Sequence, residues 1–215
     1  MNIYLVIIVV SLLLNFSIHT LSRKLNLNNM SLGLPDEFKN YYSKKDYKRS
    51  QEYLRENTHL SLLISTFELI ILMLVIFLGY FNDVDLWVRN YNFPSVFSGL
   101  IFFAVLLIIQ DIISIPFSLY QIFVIEEKFG FNNTTLRIYI LDKIKSYILI
   151  SIFGGFVLYF LILFFETYGA IGWFYAWLAM SSFFILMQPF FTLVIAPMFN
   201  TFTPLEDGEL KDRIN

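Results

Sequence analysis

The run His59-Leu60-Ser61-Leu62-Leu63-Ile64-Ser65-Thr66-Phe67-Glu68-Leu69-Ile70-Ile71-Leu72-Met73-Leu74-Val75-Ile76-Phe77-Leu78-Gly79-Tyr80 decides the solvent in which this chain folds. Glu68 is its one acidic side chain, and the run has the length of roughly 20 apolar residues that a helix needs to cross a bilayer core. Working outward, four more runs of this kind lie at about 3–21, 95–115, 146–165 and 171–196, flanked by charge or by Asn, Pro and Gly. The expectation is an all-α polytopic membrane protein with five transmembrane helices over residues 1–196, followed by a polar segment, 197–215. Composition agrees: across 215 residues the chain is 57% hydrophobic, 19% aromatic and 15% charged, well away from the roughly 25% charged average of soluble domains.

The first run is the weakest, being interrupted by Asn15, Ser17 and His19. It resembles a secretory leader, but no basic residue precedes it and no Ala-x-Ala-like cleavage site follows, so it reads as a retained span. The basic residues then set the orientation. Of the 15 Lys and Arg, only Arg89 falls in the second connection and none in the fourth; the rest crowd the first connection, the third and the tail. Positive loops stay on the cytoplasmic side, which places the N-terminus outside and the C-terminus in the cytoplasm. A net charge of -2 argues against nucleic acid as a partner, since tracking phosphates requires a basic excess; membrane lipid is the partner expected. The absence of cysteine removes thiolate catalysis and thiolate metal sites.

Within the first connection, residues 44–57 have helical character, with Tyr47, Ser50, Tyr53 and Leu54 among charges, and are expected to run as an interfacial helix into the second span. Gly33-Leu34-Pro35 marks a turn before it. The third connection is the most distinctive part of the chain: Ile115-Pro116-Phe117-Ser118-Leu119-Tyr120, then Phe123-Val124-Ile125-Glu126-Glu127-Lys128-Phe129-Gly130-Phe131-Asn132. It resembles the segment after the third membrane helix of CAAX prenyl proteases type 1. The positions that carry the pattern are Pro116, Phe117, Tyr120, Phe123, Ile125, Glu126, Gly130, Phe131 and Asn132. The exit from the last span, with Phe199, Asn200, Phe202, Pro204, Gly208 and Leu210, is similar to the same family, as are the Leu34-Pro35 turn and the Tyr47, Ser50, Tyr53 helix.

The resemblance implies that the five spans form part of a hollow seven-helix membrane barrel around a water-filled chamber. It implies a zinc metalloendopeptidase that cuts next to a prenylated C-terminal cysteine, with a prenylated peptide as substrate. Such chemistry needs a helical His-Glu-x-x-His, whose histidines four apart share a face toward zinc while the Glu activates its water. Neither His19 nor His59, the two histidines here, lies in such a motif, and two imidazoles without a third ligand seldom hold zinc. No catalytic or metal residue carries over, Zn2+ is expected only in the full-length family enzyme, and the missing partner is a catalytic C-terminal half. A fragment of a longer protein is the expectation, in a bacterial plasma membrane or the endoplasmic reticulum, and whether the chain itself is an enzyme stays open.

Four polar residues inside or near the end of spans stand out: Glu68 near the middle of its run, Gln110 and Asp111 near the end of the third, and Gln188 in the fifth. Intramembrane acids face a bundle interior or a wet cavity and mark function by default; a chamber-lining or helix-pairing carboxyl without a chemical role outweighs that reading here. Gln188 is suited to bonding across helices. Glu126 and Glu127 read as solvated or paired with Lys128, Arg137 or the basic first connection, and the sequons at Asn132 and Asn133 as chance matches on the cytoplasmic side. Gly99, Gly154 and Gly155 read as close-packing positions. Two functional classes remain: the membrane half of a protease for prenylated proteins, and a non-catalytic scaffold or isoprenoid-binding protein. A transporter would need paired repeats, and none is seen.

Overall fold

The computed structural model describes residues 2–30, 33–34, 41, 43–202 and 207–208. Among them, four helical stretches are long and apolar enough to cross a membrane: Ile3–Asn28, Lys44–Leu78, Ser95–Glu126 and Leu136–Phe199. The chain divides into two compact units, one of residues 1–93 and 101–134 and one of residues 94–100 and 135–215.

In the first unit, helix α1 (Ile3–Asn28) packs beside α2 (Lys44–Leu78). Asn2 opens α1 by accepting the Tyr4 amide at 3.1 Å. Ser43 opens α2 by accepting the Asp46 amide at 3.0 Å, and Asp46 in the first turn suits the positive end of the helix dipole. At about 1.5 Å per residue, the 35 residues of α2 exceed a hydrocarbon core of about 30 Å, so its charged opening turns extend beyond the apolar run. That is the continuous entry expected from residues 44–57. Arg23 pins the two helices together, Nη1 donating to Ser65 Oγ at 2.7 Å and to the Ser61 carbonyl at 3.3 Å. Hydroxyls within the helices bond carbonyls one turn back, as Ser17 does to Leu13 and Thr66 to Leu62, both at 2.7 Å, and so stay satisfied without water.

Gly79, at φ +80, ends α2. The short helix α3 (Tyr80–Arg89) follows at once, within the connection between the second and third apolar runs. Helix α4 (Ser95–Tyr120) runs through Pro116 and continues as a π-type stretch, Gln121–Glu126. The helix therefore continues beyond residue 115, where the third apolar run is expected to end. Proline removes one backbone donor, and the helix nevertheless continues past it.

In the second unit, Thr135 caps α5 (Leu136–Leu149), which passes through a π-type stretch, Ile150–Gly154, into α6 (Gly155–Tyr168). The helix thus begins about ten residues before the expected fourth span, because Arg137, Lys143 and Lys145 sit on its opening turns and not in a loop. Gly169, at φ +52, reverses the chain into α7 (Gly172–Phe190), with Pro189 inside it, then a π-type stretch, Phe191–Ile195, and α8 (Ala196–Phe199). Helices α6 and α7 pack as an antiparallel hairpin. Ring pairs Tyr168–Tyr175 near the turn, at 4.5 Å, and Phe156–Phe183 further away, at 6.3 Å, set their register. Gly172 lies so close to α6 that a Cβ there would stand 2.7 Å from the Phe164 carbonyl oxygen.

Candidate functional site

The third-connection motif folds onto α2. Leu60, Ile125 and Phe129 form a buried cluster, with Tyr53, Ile64 and Phe117 packed against it. Tyr53 meets two rings edge-to-face, Phe129 at 5.2 Å and Phe131 at 5.0 Å, and Phe67 meets Phe117 at 5.2 Å. Polar bonds close the rim: Arg49 Nη2 donates to the Phe129 carbonyl at 2.6 Å, Gln121 to Asn57, and Lys128 to Glu56. Glu56, above all by that hydrogen bond, holds the Lys128 ammonium above its ordinary pKa.

Local geometry explains why the motif needs these residue types. Gly130 sits at φ +67, a left-handed conformation that costs glycine nothing, and its amide bonds the Glu127 carbonyl at 3.0 Å. The Phe131 amide bonds the Glu126 carbonyl at 2.9 Å, a pair of helix-closing bonds of the kind that ends a helix on glycine. Asn132 then donates to Glu127 Oε2 at 2.9 Å and accepts the Thr134 amide at 2.7 Å. Of the expected partners, Lys128 crosses to α2 instead, while the exposed Glu127 takes the Asn132 side-chain amide. Ile125 is buried, Phe123 and Glu126 are half-buried, and Pro116 and Tyr120 are exposed.

In the second unit an apolar groove of about 760 Å³ lies between α5 and its π-type continuation on one side and α7 with its continuation on the other. Leu149, Ile150 and Phe153 form one wall, Phe184, Met187 and Phe191 the other, and Ser146, Gln188 and Thr192 supply its polar atoms. Phe199 lies at the groove, and Lys145 stands 5.4 Å above its ring. Lys145 also donates to Asp142 Oδ1 at 3.0 Å and to the Met198 carbonyl at 3.1 Å, tying α8 back to α5. Asn200 bonds the Ala196 carbonyl through its amide at 3.0 Å; Phe202 is exposed and Gly208 open. Pro35, Pro204 and Leu210 lie outside the described residues.

Of the polar residues expected within spans, Glu68 is exposed on α2, Gln110 exposed and Asp111 half-buried on α4, and Gln188 is on α7. Asp111 uses its carbonyl to accept the Ser114 hydroxyl at 2.8 Å, and the Gln188 carbonyl accepts from Thr192 at 3.3 Å. Gln110 and Asp111 are chain neighbours on α4. His19 and His59 are exposed on α1 and α2. Among the described residues no group of three His, Cys, Asp or Glu side chains is placed to hold a metal. Sequence reading missed Arg49, Glu56, Asn57 and Gln121. A strongly polar helix meeting a Phe-Gly-Phe turn was the available signal.

The family described as CAAX prenyl protease N-terminal, five membrane helices, matches residues 23–201. This chain belongs to that family. Relatives of this CAAX prenyl protease N-terminal region include the CAAX prenyl protease 1 homolog of Dictyostelium discoideum, 33% identical over 84% of the chain and 43% of that protein. CAAX prenyl protease 1 of Saccharomyces cerevisiae is 38% identical over 59% of the chain and 28% of that protein. The crystal structure of S. mikatae Ste24p superposes with a TM-score of 0.86 at 28% identity, covering 100% of the chain and 52% of its own. The chain therefore spans about half, or less, of the length of the proteins it matches.

Proposed function

We propose that this chain is the chamber wall of a CAAX prenyl protease: five spans, over residues 1–196, of a hollow seven-helix barrel in which prenylated C-terminal CAAX proteins are cleaved. The observation that carries this reading is the superposition of the whole chain on about half of a Ste24p structure. Five crossings rather than four are supported by the α6–α7 hairpin, since Leu136–Phe199, at 64 residues, is far longer than one crossing requires. The distribution of Lys and Arg supports an N-terminus outside and a cytoplasmic C-terminus, with residues 197–215 leading toward the catalytic half. That half supplies the Zn2+ and the peptidase residues; Glu68, Gln110, Asp111 and Gln188 are polar positions of the wall, and the Arg49–Phe129 junction fixes the cytoplasmic ends of α2 and α4. The membrane is the endoplasmic reticulum or a bacterial plasma membrane.

Co-expression with the catalytic half of a family relative tests this. Zinc-dependent cleavage of a prenylated peptide by the pair, with none by the chain alone, is the expected result; cleavage by the chain alone, or an assembled pair that is inert, rejects it. The 760 Å³ apolar groove favours one second reading, a non-catalytic membrane scaffold or isoprenoid-binding protein. Stable binding of a prenyl lipid by the chain alone, with no association with a catalytic half, would decide for it.

A further inference from the structure

Helix α3 carries a pattern that the spans do not need. At about 100° per residue, Tyr80, Phe81, Val84, Trp87 and Val88 fall on one face and Asn82, Asp85 and Arg89 opposite, with Leu86 and Asp83 between the two on the Trp87 side. The middle of the apolar face is turned to protein: Val88 is 1% exposed and Val84 half-buried. Its flank is not, since Tyr80 and Trp87 are about half exposed. From Trp87 the aromatic surface continues out of the helix, to Tyr91 at 5.4 Å edge-to-face and on to Phe93, stacked at 6.0 Å.

The backbone fixes where this strip lies. Gly79 closes α2, the membrane-crossing helix, and its carbonyl at once accepts the Asn82 and Asp83 amides of α3, at 2.9 and 3.3 Å. At the other end Asn92, at φ +52, turns the chain into Phe93-Pro94, and the Pro94 carbonyl accepts the Ser98 amide of α4 at 2.9 Å. A short helix held between two crossing helices starts and ends at the boundary of the apolar core. On the opposite face Arg89 pairs with Asp85 at 2.7 Å, so the charges there are mutually satisfied and suited to water.

We infer that α3 and the Trp87-Tyr91-Phe93 strip form a bilayer-interface anchor, whose partner is the headgroup boundary of the leaflet opposite the basic connections. Trp and Tyr suit that layer because an apolar ring and a polar tip are solvated at once, and an amphipathic helix lies in it with its apolar flank inserted. Committing to lipid rather than a protein partner follows from continuity with α2 and α4, which bring the strip to the boundary whether or not another chain is present.

The test uses the full chain in phosphatidylcholine vesicles with Trp173→Phe and Trp177→Phe, leaving Trp87 as the sole tryptophan. Bromines placed near the headgroup end of the lipid chains should quench Trp87 more strongly than bromines near the chain ends, and aqueous iodide should quench it little. Dominant quenching by iodide, dominant quenching from the chain ends, or protection from all three overturns the inference. Because the chain has no cysteine, Asn82→Cys gives a second, fold-neutral reading: a spin label there should be relaxed by a water-soluble nickel chelate, and relaxation by oxygen alone would overturn the assigned polar face.

Discussion

Truncating Phe129 to alanine probes the junction where the family motif meets α2. The ring is 4% exposed and packs with Leu60 and Ile125, and removing a buried phenylalanine costs about 3–5 kcal/mol because a cavity remains. Phe131 contacts the same Tyr53 at almost the same distance, 5.0 against 5.2 Å, yet it is 53% exposed. Its truncation forfeits mainly the ring pair, about 0.5–1.5 kcal/mol. The two variants therefore separate burial from aromatic contact. Reversible unfolding of the full chain in mixed detergent micelles, followed by helical circular dichroism, reads both. Phe129→Leu should retain most of the stability, because it keeps apolar volume. A Phe131→Ala loss equal to or larger than that of Phe129→Ala would refute the argument that exclusion from solvent, and not ring geometry, holds the motif in place. A double-mutant cycle of Phe131→Ala with Tyr53→Leu should return a coupling near the ring-pair value, and zero coupling would remove that contact from the account.

Arg49→Ala should destabilise the turn at Gly130 by about 1.5–3 kcal/mol, the usual loss for a hydrogen bond to a charged group. Faster hydrogen exchange at the Gly130 and Phe131 amides, with α1 unaffected, would show it. Gly172→Ala should separate α6 from α7, since the new Cβ meets backbone at 2.7 Å and overpacking costs about 1–3 kcal/mol. Gly99→Ala should be tolerated, because its 2.7 Å neighbour is the flexible Cδ1 of Ile162; thermal midpoints of the two variants in detergent make the comparison. The Lys128–Glu56 bond gives a pH signature. The folded Lys128 is raised above its ordinary 10.5, so its contribution is complete below that value and is lost as pH rises through the higher folded one. Glu56→Gln should abolish this alkaline decline, and an unchanged profile in that variant would assign the decline elsewhere.

Much of this protein is legible from patterns within the chain. Runs such as 59–80 announce helices in lipid because every backbone group in a bilayer must be satisfied within the segment, so length and apolarity suffice. The entry of α2 from residues 44–57, the reversal between 165 and 171, and the family itself could be read this way, the last from Pro116 to Asn132 and from Phe199 onward. Folding in three dimensions settled what periodicity does not encode. The helix continues through Pro116, and residues 80–89 are helical, although too short to register beside the spans. Lys128 passes its neighbour Glu127 for Glu56 on α2, and Arg49 reaches the Phe129 carbonyl. Such partners are separated by most of a hundred residues of chain, and only packing brings them within a bond's length. Local composition fixes which segments enter lipid, whereas side-chain partners between them depend on the register in which the helices meet.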